Sequence, residues 1–97
     1  MTNNKALAKT LRNIGPVMAQ RLIDAGIQSR DQLADLGSIE AYLAMYPNGD
    51  KYGDYNAAYM MALEGAIRDC DWQALEESEK LRFKSIAHEL QKNRGKN

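Results

Sequence analysis

Valine occurs once in this 97-residue chain, at position 17, and no stretch alternates β-branched and polar residues. Strands draw on such residues to fill a pleated, half-buried surface, so a sheet is not expected. What recurs instead is apolar spacing at three and four residues, broken by Gly, Pro and capping residues. That pattern predicts an all-α fold of five or six short helices in a single domain spanning 1–97. The ordered core is expected over about 4–91, with a frayed tail over 92–97 that carries nothing apolar.

The punctuation sets the helices. Leu7 and Leu11 mark a first helix over 4–12. Pro16 suits the first turn of a second, which Gly26 ends in the left-handed conformation. Ser29 followed by Gln32 reads as a capping box for a third, stopping at Gly37, and Ser38 is expected to cap a fourth, "IEAYLAMY", that Pro47 ends. The segment "PNGDKYGDYN" has no apolar period and reads as a loop. Asp54 is then expected to cap the longest helix, with Tyr55, Tyr59, Ala62, Leu63, Ala66, Ile67 and Cys70 on one stripe. After the turn "DWQAL", in which Trp72 and Leu75 plug the core, Ser78 is expected to cap the last helix.

Bulk properties exclude several classes. A chain of this size can bury roughly two-thirds of its unfolded surface and needs no staples. Hydrophobic residues at 44% and charged residues at 27% argue against disorder. No apolar run approaches the roughly 18 residues that span a bilayer, so no membrane partner is expected. The absence of a signal-like apolar segment, and a single cysteine, point to the cytoplasm.

Formal net charge is zero but unevenly spread. Residues 1–30 carry net +4, residues 31–79 net −9 and residues 80–97 net +5. If the basic ends meet they form a patch that attracts phosphate; otherwise they pair with the acidic middle, the more ordinary arrangement.

Catalytic constellations fail on count. His88 and Cys70 are each the only residue of their kind, which excludes zinc sites built from those ligands, and no nucleophile accompanies His88. Glu77 and Glu79 in "EESE" serve a helix dipole better than acid–base chemistry. Read as a calcium loop from Asn48, the chain places Gly53 correctly at position six but Tyr52 at five and Tyr59 at twelve, so the match fails. No cofactor is expected, and an enzyme is a distant third among function classes.

Two stretches carry binding potential. The five tyrosines, Tyr42, Tyr46, Tyr52, Tyr55 and Tyr59, surround the loop. Packing explains Tyr42, Tyr55 and Tyr59, whereas Tyr46 and Tyr52 are candidates for an exposed protein contact or self-association. The other stretch is "LRNIGPVMAQR", where a turn ahead of Pro16 leaves amides near Gly15, Val17 and Met18 without helical partners, a setting that attracts anions. Arg12, Asn13, Ile14, Gly15, Val17, Met18 and Arg21 are the candidate contacts to a DNA backbone.

This turn resembles a helix-hairpin-helix motif, in which Gly, an aliphatic residue and a second Gly form a loop that contacts DNA phosphate without reading sequence. Asn13 stands in place of the first Gly, and Asn tolerates left-handed geometry. Val17 stands where DNA-binding members often have Lys or another polar residue.

Over roughly residues 8–90 the chain also resembles the C-terminal domain of the TfoX/Sxy competence-regulator family. The matching residues are Leu11 to Pro16, Gly26, Ile27, Leu33, Leu36, Gly37, Glu40, Ala41, Tyr42, Leu63 to Ala66, and Trp72. The resemblance implies an all-helical domain found in regulators of natural transformation. Longer members carry an N-terminal α/β domain for which 97 residues leave no room. The implied partners are a separately encoded N-terminal domain or another protein of transcription regulation.

Overall fold

The helical punctuation read from the sequence is largely realised in the computed structural model, which describes residues 3–49 and 54–94. Six α-helices form among these residues: α1 (Asn4–Thr10), α2 (Pro16–Asp24), α3 (Arg30–Leu36), α4 (Ser38–Met45), α5 (Ala57–Arg68) and α6 (Glu77–Arg94), with a 3-10 turn at Trp72–Ala74. No strand forms among them. The all-α expectation holds.

Local chemistry explains most boundaries. Asn3 caps α1 by accepting the Ala6 N–H at 2.8 Å. After α2, Gly26 sits at φ 88°, and the amides of Gly26 and Ile27 turn back to the carbonyls of Ile23 (2.9 Å) and Leu22 (2.8 Å). That is a Schellman end, in which a left-handed residue lets the last carbonyls find donors. Ser29 Oγ accepts the Gln32 N–H at 3.1 Å, opening α3.

Other boundaries differ from the sequence reading, α1 ending at Thr10 and not at Arg12. Gly37, not Ser38, caps α4; at φ 92° and ψ 156° it alone joins α3 to α4, in a region open essentially to glycine. Ser38 is instead buried inside α4 and donates its hydroxyl to Glu64 Oε1 at 2.8 Å. Asn56, not Asp54, caps α5, accepting the Tyr59 N–H at 3.3 Å. Helix α6 begins at Glu77, ahead of Ser78, and at 18 residues is the longest among the described residues.

Helix α5 is central. It packs on α3, α4, α6 and the 3-10 turn, while α1 packs on α2, and α2 and α3 pack on α4. Being covered on several sides, α5 buries Met60, Met61, Ala62, Leu63, Gly65 and Ala66, more than a single stripe. Leu7, Leu11, Ile14, Leu22, Leu33, Tyr42 and Phe83 complete the same core. Leu75 is buried and Trp72 half-buried against it, as the sequence suggested.

The two basic ends pack on different partners, α1 on α2 and α6 on α5. Acidic residues of the middle instead meet individual bases: Arg68 bridges Glu64 on its own helix (2.7 Å) and Glu79 on α6 (2.5 Å), and Arg30 lies 4.0 Å from Asp69.

Candidate nucleic-acid interface

The hairpin between α1 and α2 is built by a few backbone decisions. Leu11 ends α1 in extended geometry with its N–H on the Ala8 carbonyl. Asn13 adopts φ 72°, the left-handed geometry that the helix-hairpin-helix resemblance required of it. Ile14 is buried and returns its N–H to Leu11 O at 3.2 Å, closing the turn. Gly15 then leads into α2, with Pro16 at its first position.

The hairpin is held from outside by one side chain. Asn13 Nδ2 donates to Cys70 O at 2.9 Å and to Ala62 O at 3.3 Å, and its Oδ1 accepts the Trp72 N–H at 3.2 Å. One amide thus fastens the hairpin to α5 and to the start of the 3-10 turn. Gly65 makes room for it: a Cβ there would collide with Asn13 Nδ2 and lie 2.7 Å from Cys70 O. Asn13 therefore contributes left-handed backbone and an inward latch, and its side chain is not directed at a ligand. Nothing local signals this role, because the partners lie 49 to 59 residues away.

The remaining candidates divide. No side chain caps α2, and its first intrahelical acceptance is from Ala19 N–H to Gly15 O, so the amides of Val17 and Met18 stay available at the helix start. Gly15 and Val17 are exposed, Val17 to 76%, while Met18 is half-buried against the core. Arg12 is exposed and shares an open groove with Lys9, Asn13, Gly15 and Asp69. Arg21 belongs to a second groove, with Asn4, Val17, Gln20 and Asp24, and its guanidinium lies 4.8 Å from the Tyr46 ring centroid. Arg12 and Arg21 are not brought into one groove.

Tyr46 corrects an expectation. It is 7% exposed, with its ring 5.3 Å from Tyr42 and 5.7 Å from Tyr59, under the Arg21 guanidinium. Packing of α2 and α5 against the end of α4 removes it from the surface, so it does not stand as an exposed contact. Tyr42 is fully buried and accepts the Asn56 N–H on its hydroxyl at 2.7 Å. Tyr52 lies outside the described residues.

The order of these features along the chain is shared. The TfoX C-terminal domain family matches residues 3–86. The chain belongs to the TfoX C-terminal domain family. Two crystal structures of an uncharacterized protein from Listeria monocytogenes have the same fold. The triclinic form is 36% identical, with a TM-score of 0.76 over 86% of this chain and 91% of that one. The tetragonal form, described as a protein of unknown function, is also 36% identical with a TM-score of 0.76, over 86% and 98% of the two chains. No curated protein matches the chain. In this TfoX C-terminal domain, the family-like residues Asn13, Gly65 and Trp72 turn out to be the parts of one latch.

Proposed function

We propose that this TfoX C-terminal domain is a non-catalytic, cytoplasmic regulatory module that rests its α1–α2 hairpin weakly on a nucleic-acid backbone without reading base sequence. The observation that carries the reading is the uncapped start of α2: two amides and the positive end of a nine-residue helix follow directly on Gly15, which lines one groove with exposed Lys9 and Arg12. Such contacts position a protein on a duplex and carry no base information. Family membership supports the regulatory half of the reading.

The test is titration of a fluorescently labelled duplex with the full chain at two salt concentrations. Affinity falls with salt, with a log–log slope of roughly −2 if about two phosphates are neutralised. Arg12→Glu weakens binding more than Arg21→Glu, because Arg12 lies in the hairpin groove and Arg21 rests on Tyr46. Binding indifferent to both salt and Arg12→Glu would overturn the reading.

A further inference from the structure

The hairpin groove holds one residue whose charge opposes its other charged members. Asp69 lines it together with Lys9 and Arg12, and its side chain is 67% exposed. Asp69 occupies the left-handed position (φ 56°, ψ 46°) that ends α5, with its own N–H on Ala66 O and the Cys70 N–H on Gly65 O at 2.8 Å. Glycine is the residue this position favours most, and Asp is among the few others that tolerate it. Among the described residues its carboxylate pairs with Arg30 at 4.0 Å, both partners well exposed, an arrangement that contributes little to stability. A carboxylate whose exposed ion pair contributes little to stability, set in a groove with two bases at the rim of a candidate site, is a reason to look for function.

The Asn13 latch fixes where this charge sits. Cys70, the next residue, gives its carbonyl to Asn13 Nδ2 at 2.9 Å, so the turn carrying Asp69 is tied to the hairpin it faces. We propose that Asp69 is a built-in counter-charge that keeps the hairpin's hold on phosphodiester polyanions weak and readily reversed. Arg30 tempers it by sharing the carboxylate. The inference rests on the hairpin reading above and adds what limits its strength.

Neutralising one carboxylate within a few ångströms of a bound phosphate tightens binding roughly three- to tenfold at low salt. Wild type, Asp69→Asn, Asp69→Gly, Arg30→Ala and the double variant Asp69→Asn with Arg12→Glu are titrated with the same labelled duplex, their folding checked by thermal melts. Both Asp69 variants are expected to bind more tightly than wild type and Arg30→Ala more weakly, with the gain abolished in the double variant. Asp69→Asn and Asp69→Gly affinities within twofold of wild type, alongside a clear loss in Arg12→Glu, would overturn the counter-charge and leave the hairpin reading standing. Failure of wild type and both Asp69 variants to bind would overturn both. Duplex binding seen only in the Asp69 variants and lost in the double variant would support the counter-charge in its strongest form.

Discussion

Asn13 does two jobs with separable costs. Its backbone takes a left-handed turn that glycine would take more readily, and its side-chain amide presents two donors to the carbonyls of Cys70 and Ala62 and an acceptor to Trp72. Replacing the amide by a carboxylate keeps the shape but turns both donors into acceptors aimed at carbonyl oxygens. Asn13→Asp is therefore expected to be less stable than Asn13→Gly by about 1–2 kcal/mol, because the glycine variant removes the latch without opposing like to like. Urea denaturation of the two variants checks this, and equal midpoints would mean that the donors are not engaged. The sequence disclosed the backbone half of the role, since Asn is one of few residues at ease at positive φ. It could not disclose the side-chain half, which depends on a carbonyl that only the end of α5 brings near.

Among the elements, the joint between α3 and α4 is the tightest. Gly37 closes one helix and opens the next, and a Cβ there would meet nothing within 4 Å. Backbone strain alone then sets the cost of a side chain. Gly37→Ala is expected to lower the unfolding free energy by roughly 1–3 kcal/mol with no loss of packing, measurable as a shifted denaturation midpoint at unchanged slope. Pro16, Gly26 and the Ser29–Gln32 pair were legible because each acts on its own helix end. Ser38 misled because a serine before an apolar run reads as a cap, while Glu64 from α5 claims its hydroxyl. Asp54 and Asn56 are both good caps two residues apart, and the docking of Tyr42 on the Asn56 N–H identifies the one used.

At the scale of the whole molecule, α4, α5 and α6 are joined by one polar chain, Ser38 to Glu64 to Arg68 to Glu79. Hydrogen bonds to Glu79 and Glu64 hold the Arg68 guanidinium above its ordinary value, so it stays charged throughout. The same contact from Arg68 holds the Glu79 carboxyl below its ordinary 4.5. A carboxyl depressed in the folded state adds stability that is fully present above its unfolded value and is lost as pH falls through the folded one. Wild type is accordingly expected to lose stability below about pH 4.5 more steeply than Glu79→Gln, followed by denaturation midpoints across an acid series. The segmental charges were plain in the sequence, but among the described residues α1 packs mainly on α2 and α6 mainly on α5, and which bases meet which acids was decided by packing. The latch has a practical corollary at this scale. The chain has one tryptophan, and that residue's own amide ends on Asn13 Oδ1. Trp72 is thereby a native reporter wired to the hairpin: its amide exchange and its indole emission will register what happens at residues 13 to 18 without any label being introduced.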